Sequence, residues 1–242
     1  MVTIKKSLMY GTVWIESACR NVFTDIRLLI LSFLLMIAAI TLICVYVPTE
    51  EQMGVTQRIF YFHVPLAWVA FLAFFVVFVL SILYIWKRDE KWDHWAVSSA
   101  EIGVMFTSLV LITGSFWAKL VWDVWWTWDF RLTTTLVLWF IYAAYLLVRS
   151  FTDEEERGAR FAAVVGIVGF IDVPVVALAI RYGRTLHPDA VVFEGGLEPS
   201  MILTLIISLA AFTVLYVVLL RQRTTFKGLK SEMLKIRRML ED

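Results

Sequence analysis

The chain of 242 residues reads as an all-α integral membrane protein with six transmembrane helices. Three observations predict that class. Hydrophobic residues make up 60% of the chain and the mean hydropathy is +0.78, against roughly 45–50% apolar residues in a soluble domain. Apolar runs of bilayer length, about 17–25 residues, occur six times, at 28–47, 64–86, 95–118, 132–148, 161–180 and 201–220. Lysine and arginine fall mainly in alternate connections between those runs, as the two sides of a membrane require. Helix is the state expected for each run, because hydrocarbon offers no water to satisfy the backbone.

The first span, 28–47, is longer than a signal-peptide core of about 7–15 residues and is expected to stay in the membrane. The connection after it ends in RIFYFHVPLAW. Pro65 is tolerated in a first helical turn, so His63 is expected just ahead of span two, rigidly held. Span three carries Glu101, expected to pair with a neighbouring helix or to reach the interface. The third connection is WDVWWTWDFRLTT, and its Thr133, Thr134 and Thr135 run into span four. Span five contains Asp172 in IDVPVV. A carboxyl there is either functional or the cap of a helix interrupted at Pro174. His187 follows in RTLHPD, where the pre-proline position favours extended backbone. After span six the tail, 226–242, has Leu229, Met233, Ile236 and Leu240 at spacings of 4, 3 and 4 between basic residues. This is an amphipathic helix, suited to an anionic lipid surface or to a cytoplasmic partner. The whole chain, 1–242, is expected to form a single membrane domain.

Charge sets the orientation. The N-terminal arm, the second and fourth connections and the tail hold four, three, three and seven Lys or Arg; the first, third and fifth connections hold one, two and two. The split of 17 to 5 puts both termini in the cytoplasm. His63, the Trp-rich loop and His187 then meet on the outer face, and His94 lies inside. There is no GxxxxGK[ST] sequence, so any ATP is bound by another chain. Cys19 and Cys44 form no CxxC or CxxCH pattern, which argues against covalent haem attachment and a cysteine zinc site.

Trp117, Trp122, Trp125, Trp126 and Trp128 are five of the eleven tryptophans, crowded near one connection and alternating with Asp123, Asp129 and Arg131. An interfacial belt is one reading. A belt, however, spreads over all helix ends. If the loop is helical, Trp122, Trp125 and Trp126 share a face, flat and rimmed by charge, which suits a large planar ligand with polar edges. Two external histidines beside such a face suit a haem iron, which imidazoles ligate axially.

WDVWWTWDFRLTT resembles the tryptophan-rich WWD signature of haem-handling membrane proteins. RIFYFHVPLAW, EIGVMFTSLVLITGSFWA and RTLHP resemble the haem exporter protein C (CcmC) family of cytochrome c maturation, over nearly the whole chain. The resemblance implies a protein that is not an enzyme. It implies that haem b is carried non-covalently as cargo on the outer face of the bacterial inner membrane and loaded onto a periplasmic CcmE-type haem chaperone. An ABC-type ATPase and its membrane subunits are the implied neighbours, with membrane lipid and without nucleic acid. By the same resemblance, His63 and His187 match the axial ligands of the haem iron. Trp122, Trp125, Trp126, Trp128 and Asp129 match the aromatic motif. Arg131 matches its arginine, a partner for a haem propionate. The family usually has Gly where this chain has Asp123.

Three other readings compete. A WWD-type cytochrome c haem lyase is longer and has further histidines within the membrane, and a membrane cytochrome b subunit needs histidines inside its helices. No predicted span here holds a histidine. A transporter subunit without its own haem site would use its tryptophans only as a belt.

Overall fold

A computed structural model describes residues 26–51, 53–151, 155–182, 187 and 197–241. Six helices among them are long and apolar enough to cross a membrane. We label the helices α1 (Ile26–Tyr46), α2 (Phe60–Lys87), α3 (Glu90–Trp122), α4 (Phe130–Ser150), α5 (Glu155–Gly169), α6 (Asp172–Tyr182) and α7 (Pro199–Glu241). Together α5 and α6 make the fifth crossing. The N-terminal arm with Cys19, and the backbone flanking His187, lie outside the described residues.

Two helices organise the rest. α2 packs on α3, α5 and α7, and α4 packs on α3, α5 and α6. One core joins α2 to α6 through Phe74, Val97, Leu138, Tyr142, Ala162 and Val176. Another joins α2, α3 and α7 through Val69, Ala73, Phe106, Phe212 and Tyr216. Small residues allow the close approach that membrane helices rely on in place of a hydrophobic driving force. A Cβ on Gly103 of α3 would lie 2.5 Å from Cε1 of Phe74, and Phe74 itself stacks on Tyr142 at 3.7 Å.

Several polar side chains find partners at the helix seams, as a low-dielectric interior favours. The Ser99 hydroxyl donates to the carbonyl of Ala73 at 2.8 Å and lies 2.8 Å from the Tyr216 hydroxyl, tying α3 to α2 and α7. The indole of Trp139 donates to Ser108 at 2.8 Å. Thr134 and Thr135 donate back to the carbonyls of Phe130 and Arg131 at 2.8 Å, so this threonine run fits within an apolar crossing. Arg149 at the end of α4 grips Asp93 near the start of α3 through two nitrogens at 2.5 and 2.8 Å. Glu101 finds the helix partner expected of it: Arg223 at 2.6 Å and Lys227 at 2.8 Å, both on α7.

Helix ends account for one departure from expectation and for the interruption that Pro174 suggests. A 3₁₀ turn at Val55–Ile59 leads directly into α2 at Phe60. His63 is therefore already helical, and Pro65 lies inside the helix instead of in its first turn. The cause is Tyr61, fully buried against Ile43, Val47, Met201 and Leu205 and held by Gln57 at 3.1 Å. The fifth crossing breaks at Phe170 and Ile171, and α6 restarts at Asp172. Pro174 has no N–H and would clash with the carbonyl four residues earlier. With the break there, it occupies a first turn instead. One Asp172 carboxyl oxygen, Oδ2, is buried without a hydrogen-bond partner among the described residues.

Candidate haem site

Alternating helix direction brings the start of α2, the end of α3, the start of α4 and His187 to one end of the bundle. A cavity lies there. His63, Trp117, Trp122, Trp126, Arg131 and His187 line it, above an apolar floor that includes Phe71, Leu138 and Val176.

The two imidazoles face each other across this space. Their ring centres are 6.4 Å apart and their planes are inclined by 36°. His63 Nδ1 lies 2.8 Å from the hydroxyl of Thr113 on α3. That hydroxyl donates its single proton to its own helix, to the Leu109 carbonyl at 2.7 Å. Toward His63 it therefore accepts, which places the imidazole proton on Nδ1 and leaves the Nε2 lone pair uncommitted. A hydrogen bond of this kind to the far ring nitrogen fixes both the tautomer and the ring orientation of a metal-binding histidine. Gly114, the next residue, leaves room for the ring: a Cβ there would come within 3.2 Å of His63 Cε1. Among the described residues no group of three or more His, Cys, Asp or Glu forms a metal site. Two imidazoles could serve a metal whose equatorial positions a macrocycle already fills.

The Trp-rich loop is not helical. α3 ends on Trp122, and Asp123 takes the left-handed conformation at φ 58°, the usual terminator of a helix and one that glycine adopts most readily. Asp123 pairs with Lys119 one turn back. Asp129 then caps α4, accepting from the Leu132 N–H at 2.9 Å and from the Thr127 hydroxyl at 3.1 Å. The few residues between these two ends are extended or bent, so the expected shared helical face is absent.

The loop instead divides its tryptophans. Trp122 and Trp126 turn into the cavity. Trp125 leans edge-on against Phe116, and Trp128 edge-on against Trp126; they are 54% and 77% exposed and lie outside the cavity lining. Trp117 takes the inner place that the loop geometry denies them. It packs against Trp122 at 5.1 Å and His187 at 6.4 Å. The sequence counts Trp117 among the crowded tryptophans but gives it no site role, because it stands a turn and a half before the motif. Thr113 and Gly114 were likewise missed. Their signal was a Thr-Gly pair inside an apolar span.

Three buried nitrogens on the cavity wall, Trp117 Nε1, Trp126 Nε1 and Arg131 Nη1, have no hydrogen-bond partner among the described residues. Buried donors are rarely left so. Arginine stays charged in such a place. All three are donors, and a carboxylate is the natural acceptor.

The structure thus defines an all-helical protein with six helices long and apolar enough to cross a membrane, and with two histidines, three tryptophans and an arginine gathered around one cavity. Comparison with known proteins narrows the class. The family model for heme exporter protein C matches residues 12–238, and the chain belongs to that family. It is 36% identical over 175 residues to the heme exporter protein C of Bradyrhizobium diazoefficiens, covering 71% of this chain and 66% of that one. It is 31% identical to a cytochrome c biosynthesis ccmC-like mitochondrial protein of Marchantia polymorpha, over 68% of this chain and 71% of the other. With the Escherichia coli K12 heme exporter protein C it shares 32% identity, over 64% of each chain. The match thus spans about two thirds of the length of these relatives.

Proposed function

We propose that this protein holds haem b non-covalently at the outer face of the bacterial inner membrane and passes it to a periplasmic CcmE-type haem chaperone. It would work as a cargo-presenting subunit beside an ABC-type ATPase and its membrane subunits, with no reaction of its own. His63 and His187 supply the axial nitrogens. Trp122 and Trp126, with Trp117, flank the macrocycle, and Arg131 takes a propionate. Trp125 and Trp128 point outward, where a carrier meets the loop. Asp129 holds the loop against α4.

The observation that carries this reading is the imidazole spacing. A metal–imidazole bond is about 2 Å, and a five-membered ring with sides near 1.35 Å has its centre about 1.15 Å from each nitrogen. Two imidazoles on opposite sides of one metal thus have centres about 6.3 Å apart, and the observed separation is 6.4 Å. Haem supply separates this reading from a transporter subunit without its own site. Protein purified from haem-replete cells should show a Soret band at up to one haem per chain, and apoprotein should regain it on titration with hemin. Purified protein that takes up no haem would overturn the assignment.

Orientation follows from the 17-to-5 split of basic residues. With the native cysteines replaced, single cysteines beside His63, Asp123 and His187 are expected to react with a membrane-impermeant thiol reagent in intact spheroplasts. A cysteine beside His94 is expected to react only after lysis. Labelling of the His94 position in intact cells would reverse the topology.

A further inference from the structure

The polar inventory of the cavity is one-sided. No aspartate or glutamate lines it. Its hydroxyl protons are committed: Thr107 donates to the Gly103 carbonyl at 2.8 Å, Ser115 to the Leu111 carbonyl at 2.9 Å, Thr135 to the Arg131 carbonyl at 2.8 Å and Thr127 to Asp129 at 3.1 Å. The wall nitrogens left without a partner among the described residues are Nε1 of Trp117, Nε1 of Trp126 and Nη1 of Arg131.

The loop's own acids do not answer them. Asp129 uses both carboxylate oxygens at the start of α4, one on the Leu132 N–H at 2.9 Å and the other on the Thr127 hydroxyl. Asp123 turns to Lys119. Among the described residues no carboxylate pairs with the Arg131 guanidinium. A buried cation without a counter-ion is costly, and orphaned buried donors are rare. A neutral acceptor would satisfy the indoles and leave the charge. An anion that is also a strong acceptor satisfies all three. A bare inorganic ion, however, would leave the apolar walls and the facing imidazoles without a role.

The donors differ in form. A guanidinium is a fork that matches both oxygens of one carboxylate. An indole offers a single N–H, lying in the ring plane at one edge. Its face stacks on a macrocycle, as a phenylalanine face also does. Its N–H meets only an acceptor at the ligand's rim, and phenylalanine lacks it.

We propose that Trp117 and Trp126 act through their indole N–H groups and, together with Arg131, read the ionised carboxylates at the rim of the macrocycle, so that the cavity selects free-acid porphyrins over porphyrins whose carboxylates are esterified. This rests on the haem-holding reading and gives two tryptophans a polar role beyond stacking.

The test titrates detergent-purified apoprotein with hemin and with hemin dimethyl ester, which keeps the iron and the macrocycle and removes only the carboxylate charges. The readout is the low-spin spectrum of an iron held by two imidazoles, which porphyrin dissolved in micelles lacks. Trp117→Phe, Trp126→Phe and Arg131→Gln should each lower the preference for hemin at least about threefold, the scale of one hydrogen bond, without changing the spectrum of the bound haem. With three such contacts, the unaltered protein should bind hemin at least about thirtyfold more tightly than the ester. Trp122→Phe is the control: Trp122 lines the cavity without an orphaned nitrogen, and its loss should weaken both ligands alike. Equal affinity of the unaltered protein for the two ligands would overturn the proposal and leave the haem site standing. So would Trp117→Phe and Trp126→Phe variants that weaken both ligands alike. Uptake of neither ligand would overturn the haem reading and this inference with it.

Discussion

His63→Ala combined with His187→Ala is expected to abolish the Soret band of the purified protein, while the chain accumulates in the membrane at its normal level. Each single substitution should weaken haem retention by at least roughly tenfold, the scale at which even outer-shell changes disturb a metal site, or about 1.4 kcal/mol. The single variants should also change spectral type, since one axial position of the iron is left to water or to nothing. Added imidazole should partly restore each single variant by filling the vacated position, and should do nothing for a protein whose histidines only pack. Neither ring is needed to hold the bundle together: His63 contributes one hydrogen bond to Thr113, and His187 lies in a connection. His94→Ala is the control. His94 stands 23 residues before Trp117 on α3, roughly 35 Å away along the helix, and its loss should leave the spectrum unchanged. A full Soret band in the double variant, or its loss in His94→Ala, would refute the site.

Trp122→Ala with Trp126→Ala is expected to separate from Trp125→Ala with Trp128→Ala. An aromatic side chain covers about 150–250 Å², worth several kcal/mol at roughly 25 cal/mol per Å² when fully buried. Trp122 and Trp126 are already half-buried, so a ligand gains only part of this area. About 1–2 kcal/mol each, or roughly five- to thirty-fold weaker haem retention, is the expected loss. The outer pair makes no contact with the cavity, and its removal should change haem affinity by no more than about twofold, as at other exposed positions. Transfer to the carrier should fall instead. Equal haem loss in both pairs, or normal haem with normal transfer in both, would show that the division of the loop has no functional meaning. Poor accumulation of either variant would point to an interfacial belt.

Much of the fold was legible because hydrocarbon leaves few choices. A run of 20 apolar residues must be a helix, and charge sorting then brings His63, His187 and the Trp loop to one place. Two kinds of detail were not legible. One is where a helix ends. Tyr61 pulls α2 four residues beyond its apolar run, so a histidine expected in a connection stands on a helix. Asp123, in a left-handed conformation, stops α3 before the tryptophans line up, so inward and outward rings are chosen by a turn and not by helical period. The other is the set of contacts made between distant residues. Thr113 reads as a polar interruption in an apolar run, and only the packing of α3 on α2 sets its hydroxyl against His63. Asp172 was legible as a cap-or-function ambiguity. The break ahead of Pro174 explains the interruption without giving its carboxyl a partner.

α3 has a mechanical property that follows from its contacts. It is one uninterrupted rod of 33 residues, about 50 Å long, pinned to α7 by the ions around Glu101 and carrying Thr113, Trp117 and Trp122 on its far arm. With Glu101 as fulcrum, Thr113 stands about 18 Å out and Trp122 about 32 Å out. A tilt of about 5° there would move them by about 1.6 and 2.7 Å, enough to part the Thr113 hydroxyl from His63, which it meets at 2.8 Å. A slight rocking at the α7 end would thus reach the cavity wall as a change in the hydrogen bonding that orients the imidazole.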